Sequence, residues 1–298
     1  MQKLLFVMNP YAGQRRANRV LPEILTIFNE AGYEVTVFMT TGPGNCLDIV
    51  RSRAKDFDLV VCAGGDGTMN ETISGMLESG AERPIGYIPC GSTNDFAASV
   101  KLSTDLLQAA RDIVAGEEQS YDVGRFNGRY FSYVASFGVF ARLSYSTPQS
   151  MKNLLGHLAY VLSGAQVLSQ IRRIPTVLEL DGEVLDGEYI LGAVTNTTVV
   201  GGVPVLDPRQ VDLRDGKFEV TLVRMPRDMA ELAACVAAIQ NQTDDCDAVT
   251  FRTVSSLVVR QKEPVDWTLD GERAEGSPVI HIENLNRAIR LRHRREEP

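Results

Sequence analysis

The feature that most constrains the fold is a short apolar run that leads into a glycine-rich turn. Residues 59–61 are Leu-Val-Val, and Gly64-Gly65-Asp66-Gly67 follows just before a helix-like segment at 72–77. Glycine adopts positive φ and has no Cβ, so a ligand can approach such a turn closely. Its N–H groups and the helix N-terminus behind it suit an anion. The stretch predicts a strand, a turn and a helix around a nucleotide phosphate, although an ordinary tight turn explains the glycines equally well.

Asp66 needs a separate explanation, because a carboxylate repels a bare phosphate. It points to a metal ion, a hydrogen-bond network or a sugar hydroxyl in the site. The chain has no G-x-x-x-x-G-K-[ST], and no strict G-x-G-x-x-G after its first strand. Positive charge must therefore come from elsewhere. Arg15, Arg16 and Arg19 can reach a triphosphate from the first loop, or they simply face solvent at the start of a helix.

Apolar runs alternate with helical patterns through the first third of the chain. The strand-like runs cover residues 3–8, 33–40, 58–62 and 85–89. This alternation predicts right-handed βαβ units and a mostly parallel sheet, which binds ligands at the carboxyl ends of its strands. The loops at those ends cover residues 9–13, 40–44, 64–71 and 91–95. We expect these four loops to converge on one site.

From residue 121 the pattern changes to short strands separated by tight turns. Asn127-Gly128 and Asp181-Gly182 are turn pairs that favour antiparallel hairpins. The strand-like runs cover residues 121–126, 130–137, 176–180, 188–196 and 217–223, with helices predicted at 151–171 and 227–240. The sequence therefore predicts an α/β fold in which a doubly wound, mostly parallel sheet over 1–122 precedes a larger antiparallel β-rich sandwich domain over 123–285.

Composition excludes several classes of protein. The net charge of −8 does not favour DNA, RNA or an anionic membrane. The five cysteines are odd in number and lack metal-like spacing, which indicates reduced thiols. The longest apolar stretch, 154–171, contains Ser163, Gln166 and Gln170 and predicts a buried helix and not a membrane span. We expect a cytoplasmic protein that binds no nucleic acid and contacts membranes only peripherally.

Four motifs then occur in a defined order along the chain. They are Asn9-Pro10-x-Ala12-Gly13, Gly64-Gly65-Asp66-Gly67-Thr68-x-Asn70-Glu71, Gly91-Ser92-Thr93-Asn94-Asp95 and Leu269-Asp270-Gly271-Glu272. Together they resemble the diacylglycerol kinase catalytic family, especially the soluble bacterial lipid kinases. The second motif alone is shared with NAD kinases and 6-phosphofructokinases, so the joint presence of all four carries the resemblance.

The resemblance implies an ATP-dependent transfer of the γ-phosphoryl group to a lipid hydroxyl, most simply from ATP to diacylglycerol with phosphatidic acid as product. It implies a first domain like that of NAD kinase and phosphofructokinase, to which residues 286–298 return. It also implies, together with the charge argument for Arg16, a nucleotide site. The predicted cofactor-binding residues are Asn9, Pro10, Tyr11, Ala12, Gly13, Arg16, Thr40, Gly65, Asp66, Gly67, Thr68, Met69, Asn70, Glu71, Ser92, Asn94 and Asp95.

The catalytic residues follow from the same resemblance. Asp66 and Asp95 match the family's carboxylates that organise the phosphates and Mg²⁺. Asp270 and Glu272 fall where the family places its catalytic base, and the sequence does not decide between them. Without the other motifs, both acids would belong to an ordinary exposed hairpin turn.

A second metal is implied by residues 212–217. The bacterial relatives hold a structural Mg²⁺ in a similar segment, through the equivalents of Asp212 and Lys217 by their carbonyls and Asp215 by its side chain. One carboxylate with carbonyls and water suits a hard cation. The residues by themselves favour a bare hairpin turn.

The predicted function is thus an ATP-dependent lipid kinase that uses ATP and Mg²⁺ and acts on a lipid at the membrane surface. A homodimer is compatible with the sequence, which does not determine the oligomeric state. The alternatives are a kinase of another lipid, a kinase of a soluble acceptor such as NAD, and a nucleotide-binding regulator that has lost catalysis. Relatives often carry Arg where this chain has Ala98. That departure favours the last alternative unless Arg15, Arg16 or Lys152 supplies the missing charge.

Overall fold

The computed structural model describes residues 1–139, 171–200, 203–204, 211–243 and 245–294. Apart from residue 171, the helix predicted at 151–171 lies outside these residues. Within them, no helix combines the length and apolar character that a membrane crossing needs. The chain forms two compact units, Met1–Val123 with Arg287–Pro298, and Gly124–Asn286. Two strands, β5 (Glu117–Phe126) and β17 (Val279–His293), pass from one unit into the other.

The first unit is built on a parallel sheet. Its strands are β1 (Gln2–Met8), β2 (Tyr33–Met39), β3 (Leu59–Gly64) and β4 (Ile85–Pro89). They lie in the order β2-β1-β3-β4, with every neighbouring pair parallel. The last part of β17 adds a further parallel strand through the pairing of Leu291 with Ile85. The predicted parallel sheet is confirmed, with the strand bounds within about two residues of those expected.

Helices cover both faces of this sheet. They are α1 (Arg16–Arg19), α2 (Leu21–Glu30), α3 (Asn45–Arg53), α4 (Asp66–Ser79), α5 (Asp95–Ser99) and α6 (Leu106–Ala115), with short 3-10 turns at Ala12–Arg15 and Ala54–Asp56. Phe28 of α2 and Ile113 of α6 share one buried cluster with Phe6 of β1. Side chains alternate between the two faces of a strand, and Cys62 of β3 contacts Met69 of α4 on the opposite face. Because the helices pack against the faces of the sheet, they leave the carboxyl ends of its strands to the loops that follow them.

The second unit consists mainly of antiparallel strands. They are β6 (Arg129–Phe131), β7 (Val134–Gly138), β8 (Ile174–Leu180), β9 (Glu183–Thr195), β10 (Val199–Val200), β11 (Val203–Pro204), β12 (Phe218–Arg224), β13 (Val249–Val254), β14 (Ser256–Gln261), β15 (Trp267–Leu269) and β16 (Glu272–Ala274). The strand β9 pairs with β8 through its first half and with β7 and β12 through its second half. Phe137, Phe218 and Trp267 are fully buried in the core. The predicted antiparallel, β-rich second region is confirmed.

One predicted strand is interrupted. The sequence predicts a single strand over 130–137, whereas the structure has β6 and β7 with a break at Ser132 and Tyr133. The backbone N–H groups of both residues donate to the carboxylate of Asp270. Because each N–H then serves a side chain and not a strand ladder, regular pairing stops there. The predicted helix at 227–240 forms as α7 (Met229–Asn241), capped by the Asp228 side chain, which accepts from Glu231 N at 2.9 Å.

Candidate active site

Three loops meet at the carboxyl edge of the parallel sheet. A Cβ on Gly91 would lie 2.5 Å from the Cα of Gly65, and a Cβ on Gly13 would lie 1.7 Å from the carbonyl oxygen of Cys90. The backbones of the loops after β1, β3 and β4 therefore touch, and only glycine permits this approach. Gly13 also has a φ of +51°, which favours glycine independently. The expected convergence of these loops occurs within the first unit.

Asp66 is the first residue of α4 and ties that helix to the loop after β4. Its Oδ2 accepts the Thr93 hydroxyl at 3.1 Å, and its Oδ1 accepts the Phe96 backbone N–H at 3.4 Å. The carboxylate therefore lies in a hydrogen-bond network and at the positive end of a helix dipole, which both stabilise its charge. Asp66 is only half-buried, so the site can add further partners.

The loop after β4 is held by Asn94 and carries a buried carboxylate. Asn94 has a left-handed φ of +54°, and its side chain bonds both the N–H and the carbonyl of Gly91 at 2.8 and 3.2 Å. The buried Asn94 amide thus stabilises the conformation of the loop. Ser92, in the same loop, is exposed. Asp95 is 1% exposed. The Tyr87 hydroxyl lies 3.3 Å from Gly64 O and 3.4 Å from Asn94 Oδ1. Burial raises the pKa of Tyr87 well above its usual range, and the charges of Asp66 and Asp95 add to this effect.

The N-terminus of α4 supplies backbone donors. The first helical hydrogen bond runs from Met69 N to Gly65 O, which leaves the N–H groups of Gly67 and Thr68 before it without an acceptor in the helix. Such groups bind anions. Thr68 packs against Gly64, where a Cβ would lie 2.3 Å from the threonine hydroxyl. Met69 is fully buried, so its side chain belongs to the core, while Asn70 is half-buried.

Glu71 joins α4 to the loop after β2. Its carboxylate accepts the backbone N–H groups of Gly44 at 2.7 Å and of Cys46 at 3.0 Å, at the start of α3. It therefore caps α3 and holds the loop after β2, which places this loop beside α4. Thr40, at the start of the loop, is buried and donates its N–H to Met8 O at the end of β1.

The first loop combines a turn with exposed cationic and aromatic groups. Asn9 Oδ1 accepts the N–H of Tyr11 at 3.0 Å, and the carbonyl of Pro10 accepts from the Asn18 side chain. Tyr11 is 68% exposed, with the Arg15 guanidinium 5.3 Å above its ring. Burial raises the pKa of the Cys90 thiol to about 11, and the positive charge of Arg16 opposes this rise. Ala12 is half-buried.

A further carboxylate of this unit escaped the sequence reasoning. Asp122 of β5 is 1% exposed, and its Oδ1 accepts the backbone N–H of Arg287 at 2.6 Å. Arg287 has a φ of +52°, a conformation that costs free energy in a residue with a side chain. The only signal in the sequence is an acidic residue inside a strand-like run, Tyr121-Asp122-Val123. Ala98, the position of the missing arginine, lies exposed on α5, and Lys152 lies outside the described residues.

In the second unit, Asp270 and Glu272 occupy very different environments. Asp270 is 5% exposed, and its two oxygens accept from Ser132 N at 2.6 Å, Ser132 Oγ at 2.8 Å, Tyr133 N at 3.0 Å and Val134 N at 3.1 Å. Glu272 opens β16 and is exposed. The two acids flank Gly271, whose φ is +85°, in a two-residue turn between Leu269 and Glu272.

The turn at residues 212–217 is closed by its own hydrogen bonds. Asp212 Oδ1 accepts from Arg214 N at 3.1 Å, and Asp215 Oδ1 accepts from Lys217 N at 2.9 Å. The Lys217 carbonyl accepts the Asn284 amide at 2.9 Å. In the described part of the chain, no group of three or more His, Cys, Asp or Glu side chains is arranged to hold a metal ion. The structural metal site stays a prediction, and the hydrogen bonds account for the turn.

Comparison with known proteins agrees with this arrangement. The family model described as the diacylglycerol kinase catalytic domain matches residues 3–126, and that described as the YegS C-terminal NAD kinase β-sandwich-like domain matches residues 133–292. A protein named diacylglycerol kinase from Bacillus subtilis (strain 168) is 32% identical over 293 residues, which cover 98% of this chain and 96% of that protein. Another of that name, from Staphylococcus carnosus (strain TM300), is 31% identical over 287 residues, covering 96% of this chain and 93% of that protein.

Solved structures share the fold. The crystal structure of a putative diacylglycerol kinase from Bacillus anthracis str. Sterne superposes with a TM-score of 0.81 at 24% identity, covering 98% of this chain and 97% of that chain. Since similarity at this identity supports only the fold, the family assignment rests on the two family models and the nearly full-length relatives. Those matches cover the glycine-rich loops that touch at one edge of the parallel sheet. They also cover the acidic hairpin of the β-rich unit. The chain belongs to the diacylglycerol kinase family.

Proposed function

We propose that the protein is a lipid kinase that transfers the γ-phosphoryl group of ATP to the hydroxyl of diacylglycerol and forms phosphatidic acid. The observation that carries the proposal is the contact between Gly65 and Gly91, which brings two glycine-rich loops together at the N-terminus of α4. Phosphoryl transfer needs positioning and charge neutralisation more than covalent chemistry by the protein. Backbone N–H groups beside carboxylates are suited to that task.

In this proposal the N–H groups of Gly67 and Thr68 bind nucleotide phosphates at the helix N-terminus. Arg16 supplies positive charge that a P-loop lysine would supply elsewhere. The small residues at 12–13 and 91 allow the nucleotide to lie close to the backbone. Glu71 acts indirectly, because its carboxylate is used to hold the loop after β2.

The carboxylates of the first unit fit a Mg²⁺ ion bound with the nucleotide. Asp66 Oδ1 accepts the backbone N–H of Phe96, the residue after Asp95, at 3.4 Å, so the two acids belong to adjoining segments of the first unit. Mg²⁺ is commonly bound by one or two carboxylates together with water and substrate phosphates, so a cage of three protein ligands is not needed. The ion would neutralise phosphate charge, and Asp66 and Asp95 would hold it, directly or through water.

Glu272 is the better of the two candidate bases. A general base needs an accessible lone pair within reach of the proton that it accepts. Glu272 is exposed, whereas the oxygens of Asp270 already accept four hydrogen bonds. We assign to Glu272 the proton of the lipid hydroxyl as that oxygen attacks the γ-phosphorus.

The proposal is tested by a [γ-³²P]ATP assay against a panel of acceptors. The panel contains diacylglycerol, phosphatidylglycerol, a sphingoid base, undecaprenol and, as a soluble acceptor, NAD. Labelled phosphatidic acid in the diacylglycerol arm is the expected product. Labelling of another acceptor alone would replace the substrate in the proposal. If nucleotide raises the Tm of the protein and no acceptor is labelled, the chain is a regulator that has lost catalysis, consistent with Ala98.

A lipid acceptor lies in a membrane, so we propose that the protein works by peripheral contact with the membrane surface. Cosedimentation with vesicles that contain diacylglycerol tests this contact, with vesicles lacking diacylglycerol as the control. We also propose that the protein forms a homodimer, which light scattering after size exclusion will show as twice the 32.7 kDa chain mass.

A further inference from the structure

Three hairpins of the second unit share one turn geometry. Each turn has two residues, an Asn or Asp followed by glycine, and both have positive φ: 45° and 91° in Asn127-Gly128, 45° and 96° in Asp181-Gly182, and 50° and 85° in Asp270-Gly271. The flanking residues pair directly in all three hairpins. This is the preferred turn of a two-residue hairpin, in which Asn and Asp tolerate the left-handed conformation.

The first residue of each turn also fastens the hairpin to a neighbouring segment. The Asn127 side chain accepts from His281 N at 2.8 Å and donates to Val279 O at 3.2 Å. The Asp181 carboxylate accepts from the backbone N–H and hydroxyl groups of Ser255 and Ser256. In all three turns the backbone N–H of the same residue donates to a carbonyl of that segment, at 3.0 Å for Asn127, 3.3 Å for Asp181 and 2.9 Å for Asp270.

Asp181 is a useful comparison for Asp270, because it holds its hairpin in the same way and lies outside every motif of the proposed nucleotide site. Its small degree of burial raises its pKa, but the hydrogen bonds from Ser255 and Ser256 outweigh burial and hold the pKa of Asp181 below its usual range. The carboxylate is therefore charged and acts as an acceptor for backbone N–H groups. Asp270 uses the same arrangement, with Ser132, Tyr133 and Val134 as donors, in a buried place. A buried carboxylate without such partners would be costly.

We infer that Asp270 is a positioning residue and not the catalytic base. Its carboxylate fastens the β15–β16 hairpin to the segment between β6 and β7 and thereby fixes the place of Glu272, the second residue after it. The inference rests on the proposed kinase function for the role of Glu272. The fastening itself does not depend on that function, since it is defined by the four hydrogen bonds. A displacement of about 1 Å at a catalytic group lowers a rate by about 100-fold, so loss of the fastening affects turnover.

The test uses Asp270→Asn with Asp181→Asn as the matched control. An amide cannot accept at both of its terminal atoms, so each variant loses acceptors for backbone N–H groups of the neighbouring segment. We expect both variants to lower the Tm by several degrees, and hydrogen exchange to quicken at residues 132–134 and 267–274 only in Asp270→Asn. With the lipid substrate, Asp270→Asn should lower kcat by about 100-fold with a small change in the KM for ATP, and Asp181→Asn should leave kcat unchanged.

The pH profile separates positioning from proton transfer. Glu272→Gln should remove the acidic limb of the kcat profile and leave the Tm unchanged. Asp270→Asn should keep that limb at a lower rate. The inference is overturned if Asp270→Asn abolishes the acidic limb while keeping the wild-type Tm, because Asp270 is then the base. Full turnover in Asp270→Asn also overturns it.

The experiments distinguish failure of the proposed kinase function from failure of the inference about Asp270. If the wild-type protein labels no acceptor, the kinase proposal fails, and the Tm and hydrogen exchange of the two Asp→Asn variants still decide the fastening. Unchanged exchange at residues 132–134 in Asp270→Asn would overturn the inference on structural grounds alone. Ser132→Ala removes only the hydroxyl donor and keeps three backbone donors, so its effects should be smaller than those of Asp270→Asn in every measurement.

Discussion

The carboxylate of Glu71 lies 2.7 Å from the backbone nitrogen of Gly44, and it connects the middle of α4 to the loop that starts α3. A second oxygen of the same group accepts from Cys46 at 3.0 Å. A glutamate of the second glycine-rich motif therefore joins α4 to the loop after β2. Its contribution is to the shape of the first unit, and the stability of the protein should reveal it.

The first prediction concerns this cap. Glu71→Gln should lower the free energy of unfolding by about 1–3 kcal/mol, because partly buried N–H groups lose a charged acceptor. Glu78→Gln on the same helix is the control, since its exposed ion pair with Arg51 contributes at most about 1 kcal/mol. Urea unfolding of the two variants measures the difference. Equal losses would contradict the structural role of Glu71.

The second prediction concerns the contact between loops. Gly91→Ala would place a Cβ 2.5 Å from the Cα of Gly65 and 2.7 Å from Asn94 Oδ1, so one loop must move. We expect a loss of stability of about 1–3 kcal/mol and weaker binding of ATP by calorimetry. Gly42→Ala is the control, because its Cβ would meet no atom within 4 Å. Tight ATP binding by Gly91→Ala would show that the nucleotide does not need this close approach.

The third prediction concerns Asp66 and the metal. Asp66→Asn keeps the size of the side chain and removes its charge, so the affinity for Mg²⁺ with ADP should fall by about 10- to 100-fold. Calorimetry with and without Mg²⁺ measures this, and the metal-free affinity should not fall. Asp48→Asn is the control, as Asp48 is exposed on α3 and pairs with Arg51. Loss of affinity to the same extent without Mg²⁺ would count against a metal role.

The fourth prediction concerns alkaline pH. Burial raises the pKa of the Cys46 thiol from 9.0 to about 12, opposed by its hydrogen bond with Thr72 and assisted by the charge of Glu71. Above the pKa of the unfolded chain, the unfolded thiol ionises and the folded thiol does not, so stability falls as pH rises from about 9 towards 12. One such thiol should remove about 1 kcal/mol between pH 9 and 10. Urea unfolding at both pH values should show a smaller fall in Cys46→Ala than in the wild type.

Wherever local periodicity decides the structure, the sequence was sufficient. The apolar run that became β3 forms a strand because it is buried on both faces. The glycines after it do not adopt the positive φ that the sequence suggested; Gly64 and Gly65 are instead required by close packing against Thr68 and Gly91. The Asn-Gly and Asp-Gly pairs form hairpins because both of their residues adopt positive φ. The family motifs named Asp66 and Glu272 as site residues, and their roles stay predictions.

The sequence did not predict contacts between residues that lie far apart along the chain. The break between β6 and β7 depends on Asp270, 138 positions after Ser132. The burial of Asp122 and its bond to Arg287 join residues 165 positions apart. Nothing in the local pattern distinguishes Asp270, which accepts backbone N–H groups, from the exposed Glu272, since both are acids beside Gly271.

The sequence by itself determined the class of fold, the alternation of strands and helices in the first unit, and the family, because these depend on periodicity, turn residues and linear motifs. The five strands between residues 249 and 293 were not predicted. Only the tertiary structure decided which carboxylates accept backbone N–H groups and how far each one is exposed. Glu71 caps α3, Asp270 holds the segment between β6 and β7, and Glu272 is exposed. The physical reason is that a carboxylate can accept only a few hydrogen bonds, and whether backbone N–H groups occupy them depends on which segments fold against it.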